Sequence, residues 1–182
     1  TSAAPSGLVN NNVYEFTVVA VNAAGVGPPT TAKGQSSGAP GTPAAPTLGS
    51  TETAGGAQAV VTLTWSAVDP NGPKPVTYTV NRTGGSGAKV ICTNVQATTC
   101  QDSGLAFDGA TYQYAVTATN ATGGPAHSST GPTRSFQATG SPAAWGSWTI
   151  APTGTDNQAE MTYTVPASRG SASTVTWLLN GG

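Results

Sequence analysis

The sequence predicts an all-β protein built as β-sandwiches in tandem, and three observations carry that expectation. Apolar residues recur at every second position, as in Tyr112, Tyr114, Val116 and Ala118, with Gln113, Ala115, Thr117 and Thr119 between them. A period of two sends one set toward a core and the other toward solvent. Helical spacing is missing, because 24 Gly and 14 Pro interrupt every window long enough to hold it. Finally, one phrase occurs twice, VYEFTVVAVNAAG from Val13 and TYQYAVTATNATG from Thr111, about a domain's length apart.

The strands follow in order through the middle of the chain. Val61, Leu63 and Trp65 alternate with Thr62 and Thr64. DPNGPKP at residues 69–75 holds three prolines and an Asn-Gly, which forbid a ladder and favour a loop. Val76, Tyr78 and Val80 then alternate with Thr77 and Thr79, AKVICTN and TTCQDS supply two short strands, and the phrase from Thr111 supplies another. Asn120 and Gly123 end it with residues that tolerate positive φ, and Ser135–Ala138 falls in a last strand. Some seven short strands with frequent turn signals are the pattern of a β-sandwich.

Trp65 on a second strand, Tyr78 on a third, and Leu105 leading into Tyr112-x-Tyr114-x-Val116-x-Ala118-x-Asn120-x-x-Gly123 resemble a fibronectin type III domain, an immunoglobulin-like β-sandwich. The resemblance implies a Pro-containing first strand, matched by Pro43, Pro46 and Leu48, and a core holding Trp65, Tyr78, Leu105 and Tyr112. It makes Tyr112 a corner tyrosine whose hydroxyl bonds nearby backbone. Leu8, Tyr14, Phe16, Val18, Ala20, Asn22 and Gly25 match the closing third of the same pattern, with Leu8 and Tyr14 as core residues. Met161, Tyr163 and Val165 match the second strand, and Val175, Trp177 and Leu179 the third.

The resulting division is a C-terminal part of one such domain at 1–35, a linker at 36–42, a complete domain at 43–139, and an N-terminal part of a third at 140–182. A half sandwich leaves its inner face in water, so the missing strands come from the same polypeptide or from a neighbouring chain. The Gly-, Ser- and Pro-rich connection at 33–46 is expected to bend, and the shorter one at 139–144 to couple its neighbours.

Composition narrows the function classes. Only 7% of residues are charged, with 6 Lys+Arg against 7 Asp+Glu, so no basic stripe for nucleic acid or an anionic membrane is present. No run approaches the length that spans a bilayer. Cys92 and Cys100 are too few for a metal site with the lone His127 far away, and a disulfide in an oxidising compartment is favoured over two free thiols. His127 has no nucleophile or orienting carboxylate in a hydrolase-like context, Asp69 and Asn71 supply too few oxygens for calcium, and Asp102 with Asp108 fixes no catalytic geometry. Asn81-Arg82-Thr83 and Asn120-Ala121-Thr122 match the N-glycosylation acceptor pattern.

Trp145 and Trp148 are the candidate partner or interdomain contacts. Three residues apart, they face opposite sides of a regular strand, so one is expected in a core and the other exposed or packed on the preceding domain; an interdomain joint is the favoured role, with core places for both through a bulge, or ligand binding, as the alternatives. The overall expectation is a non-catalytic spacer or adhesive module of an exported, bacterial cell-surface or extracellular repeat protein, without cofactor. The alternatives are accessory domains of a secreted polysaccharide-active enzyme, or a filament subunit completed by neighbouring copies. The expected partners are accordingly neighbouring domains, extracellular protein or polysaccharide, or a homopolymer.

Overall fold

The computed structural model describes residues 2–52, 56, 58–85, 87–156, 158–170 and 173–176. Strand dominates these residues, and the architecture is all-β. Strand β1 (Val13–Val18) is followed by the short β2 (Val21–Asn22) and β3 (Gly25–Val26), then by β4 (Thr30–Gln35). β1 and β4 pair antiparallel from Val13↔Gln35 to Val18↔Thr30. Between them the β2–β3 ribbon turns where Asn22 Oδ1 accepts the Ala24 amide at 2.9 Å. Alternation puts Tyr14, Phe16 and Val18 on one face of the pair. Leu8 and Tyr14, expected in the core of a domain completed by further strands, are half-buried on this ribbon. A two-stranded ribbon buries a face only against a second layer, and Val18 in the same row is 70% exposed. The Tyr14 hydroxyl accepts the Val9 amide at 2.9 Å.

The middle of the chain holds eight strands: β5 (Thr47–Glu52), β6 (Gln58–Thr64), β7 (Thr77–Gly84), β8 (Lys89–Val95), β9 (Thr99–Ala106), β10 (Thr111–Thr119), β11 (Ser128–Thr130) and β12 (Arg134–Gln137). They form two antiparallel sheets, one ordered β5-β6-β9 and the other β11-β10-β7-β8. β12 also pairs with β10, along Thr111–Tyr114, whereas β11 takes Thr117–Thr119. Gly131, Pro132 and Thr133 separate those two partners, and the Gly131 amide still reaches the Val116 carbonyl at 2.9 Å.

Burial follows the period of two. Ala59, Val61 and Leu63 of β6, Tyr78 and Val80 of β7, and Tyr112, Tyr114, Val116 and Ala118 of β10 are all buried. With Trp65, Cys100, Leu105 and Ala138 they make a single cluster fed by both sheets. Removing a Val or Leu side chain from water in this way stabilises by about 1.5–3 kcal/mol each. The Trp65 and Tyr78 rings meet edge to face at 5.6 Å, and the Tyr78 hydroxyl accepts the Val68 amide at 3.1 Å.

The connection expected to bend is instead seated on these sheets. Gly38 and Gly41 amides bond the Asn71 and Asp69 carbonyls, both at 2.9 Å, and Asn71 Nδ2 donates back to the Ala39 carbonyl at 2.9 Å. Asn120 Nδ2 reaches the Gly38 and Pro70 carbonyls at 2.8 and 3.0 Å and Ser37 Oγ at 3.3 Å. Pro40, Pro43 and Pro46 are buried. Flexible composition was overruled because the Gly38 and Gly41 amides find acceptors and the buried prolines add apolar contact. The 69–75 loop that receives them is itself fixed, with Asp69 Oδ1 accepting the Asn71 amide at 2.8 Å and Asn71 at φ 47°.

Beyond the middle sheets, β13 (Trp148–Pro152) and β14 (Ala159–Tyr163) form an antiparallel pair from Trp148↔Tyr163 to Pro152↔Ala159. Val165 is 56% exposed, and Val175, expected in a third strand, is described but lies in none. Trp177 and Leu179 of that expected strand lie outside the described residues.

Candidate functional site

Among the described residues, three arrangements bear first on function. The first lies inside the core. Arg82 of β7 falls on the same inward phase as Tyr78 and Val80, and Asp102 of β9 on the same phase as Cys100. An Arg and an Asp directed into an apolar cluster need each other. Arg82 Nη1 donates to Asp102 Oδ2 at 2.8 Å, and the Tyr114 hydroxyl donates to that same oxygen at 2.9 Å. The Tyr112 ring lies 5.0 Å from the guanidinium carbon, close enough for a cation–π contact.

The network joins β7 and β10 of one sheet to β9 of the other. Burial, then the hydrogen bond to Asp102, then its charge push the Tyr114 hydroxyl far above the usual tyrosine range, so it remains a neutral donor. With side-chain exposures of 7% and 1%, Arg82 and Asp102 are withdrawn from solvent, and the arrangement cross-links the two sheets.

Sequence reasoning weighed Asp102 with Asp108 and missed Arg82 as its partner. Asp108 instead accepts the Ala110 amide at 2.9 Å in a turn. The usable signal was phase: a charged residue two places beyond Val80 belongs to the inward row. Tyr112, expected as the corner tyrosine with its hydroxyl on backbone, is buried with its ring beside Arg82 and against Gly85.

The second arrangement is the disulfide. Cys92 on β8 and Cys100 on β9 are bonded, with Cα atoms 6.4 Å apart. Because β8 is the last strand of one sheet path and β9 of the other, the bond staples the two sheets at one edge. Cys100 is buried and Cys92 half-buried.

The third is a surface. On β13–β14 the register places Trp148 and Ile150 beside Tyr163 and Met161 on one face, while Thr149, Thr162 and Glu160 take the other. These four apolar residues are 38–59% exposed, and Trp145, 48% exposed, sets its ring edge-on to Tyr163 at 5.9 Å. The expectation that one of Trp145 and Trp148 enters a core is therefore corrected. Trp145 precedes β13, so strand alternation does not govern its direction, and both rings reach the surface.

The remaining candidates resolve locally. His127 ends a short 3-10 turn and its Nδ1 lies 3.1 Å from the Gly123 carbonyl. Asn120 is buried with its amide engaged, which closes that acceptor pattern to a glycosyltransferase once the chain is folded, whereas Asn81 is half-buried. Among the described residues no three His, Cys, Asp or Glu side chains gather as a metal site would require, and no helix is long and apolar enough to cross a membrane. No protein-family model matches the chain, and a search of curated proteins found no match.

Proposed function

We propose that the chain is a non-catalytic spacer or adhesive module of an exported, bacterial cell-surface or extracellular repeat protein, built from fibronectin type III-like β-sandwiches. The observation that carries the reading is the strand order of the middle unit. A β5-β6-β9 sheet and a β11-β10-β7-β8 sheet share one buried cluster, as the two layers of such a sandwich do. The disulfide supports an oxidising compartment. Repeated phrasing at Tyr14 and Tyr112 supports repetition, which builds reach and gives weak contacts their strength through effective concentration.

The test is surface labelling of intact source cells with an antibody raised against residues 43–139, alongside the intact mass of the native protein with and without reductant. Labelling without permeabilisation, and a mass well above that of residues 1–182, are the expected results. Labelling only after permeabilisation would overturn the reading.

A second reading has its own observation, the exposed Trp145, Trp148 and Tyr163. Such rings stack on sugars, so the chain would be an accessory module of a polysaccharide-active enzyme. Retention on insoluble cellulose or chitin, lost in Trp148→Ala, favours this reading, whereas passage of the wild type unretarded through both excludes those glycans.

A further inference from the structure

Arg169 lies in the left-handed region at φ 52°, where a non-glycine residue needs compensating contacts to stay. Those contacts converge from several separate parts of the chain. Its guanidinium carbon sits 4.4 Å from the centre of the Phe107 ring, at cation–π range. Nη1 donates to the Ser141 carbonyl at 3.0 Å and lies 3.7 Å from Glu52 Oε2 at the end of β5. Glu52 Oε1 in turn accepts the Ser141 amide at 2.7 Å. The Arg169 side chain is 15% exposed, well below what a solvated surface arginine shows.

The backbone repeats the message. The Gly140 amide bonds the Arg169 carbonyl at 3.0 Å, and the Ala143 amide bonds that of Ala167 at 3.2 Å. Gly109 and Gly170 approach so closely that a Cβ on Gly170 would lie 2.5 Å from the Gly109 nitrogen. A Cβ on Gly140 would meet the Phe107 ring at 2.8 Å.

We infer that Arg169 is the pin of a fixed joint, which sets the direction in which the β13–β14 pair leaves the middle sheets. Glu52, Phe107 and Gly109 form the receiving surface, and the loop after β14 is its partner within the same chain. Charge alone does not make the pin, since the flat guanidinium stacks on Phe107 while its Nη1 donates to Ser141 and Nη2 is buried without a hydrogen-bond partner, a combination that a compact lysine ammonium does not reproduce. Arg169 is a positioning residue, and the inference stands on this geometry whether or not the module is a spacer.

Residual dipolar couplings on the whole 15N-labelled chain test it. In the wild type, amides of β6, β9 and β10 and amides of β13–β14 are expected to fit one alignment tensor. In Arg169→Ala the hairpin couplings are expected to fall to about 0.8 of the wild-type value or less, as when a backbone passes from rigid to flexible, while those of the middle sheets persist. The Gly140 amide should exchange faster by about tenfold, because opening the joint removes its protection. Should the alanine variant lose dispersed hairpin resonances altogether, Arg169→Lys decides, since it retains the charge and stem but not the flat group that stacks on Phe107. Freed hairpin couplings there support the pin. A wild type that needs two tensors, or a lysine variant that still fits one with unchanged Gly140 exchange, overturns it.

Discussion

Asp102→Asn isolates the charge of the buried network, because the amide preserves the side chain's shape and retains an oxygen to accept from Tyr114. What it leaves behind is a guanidinium whose side chain is 7% exposed, with Nε already lacking a partner. Breaking a buried pair by removing one partner destabilises by about 3–5 kcal/mol. The Tyr112 ring at 5.0 Å continues to stabilise the cation, which places the expected loss near the low end, about 3 kcal/mol. For a unit of this size that lowers the melting temperature by about 12–24 °C, at about 4–8 °C per kcal/mol.

Thermal and urea unfolding followed by circular dichroism measure it directly. Replacing the network together, Arg82→Met with Asp102→Leu and Tyr114→Phe, is expected to recover most of the loss, since apolar side chains of similar volume pack without the desolvation cost. A loss below about 1 kcal/mol in Asp102→Asn, the level of an exposed pair, refutes the reasoning, because Arg82 would then be reaching water.

Three other perturbations follow from the same geometry. The folded state holds Tyr114 protonated above the ordinary tyrosine range, so its contribution is full below about pH 10 and is lost as pH rises beyond that value; melting between pH 8 and 11 should show a shallower decline in Tyr114→Phe than in the wild type. Reducing Cys92–Cys100, or replacing both by alanine, frees a loop of about nine residues and should cost about 2.5 kcal/mol, read as a lower urea midpoint with the fold retained. Asn120→Ala removes the donor to Gly38 and Pro70 and leaves both carbonyls wanting, for an expected loss of about 1–3 kcal/mol in the same assay.

Much of the fold was legible because alternation is a local signal. The burial pattern of β10 follows the Tyr-x-Tyr-x-Val-x-Ala row residue by residue, and the proline cluster at 69–75 became the loop it forbade a strand to be. Two kinds of feature were not legible. Composition assigned 33–46 to a flexible connection, yet the fate of its middle was decided by Asn71 and Asn120, distant acceptors and donors that a linear reading does not bring near. Arg82 stood on the inward row by phase alone, but its partner Asp102 lies on a strand of the other sheet, a pairing that alternation along one strand does not reveal. The aromatic surface was half legible: Trp145 and Trp148 were singled out, but their directions depended on where β13 begins, and strand ends are fixed by partners rather than by propensity.

The seated segment changes where one heritable unit stops and the next starts. A boundary drawn at Pro43 would cut away Ser37, Gly38 and Ala39, and with them the oxygens that Asn71 and Asn120 hold. Expressed by itself, the middle piece therefore needs to begin no later than Ser37. In a lineage that duplicates such pieces, the stretch ahead of β5 travels with the sheets behind it. Its length is then no free variable: adding or deleting a residue there unseats two asparagines before it alters any spacing between neighbours.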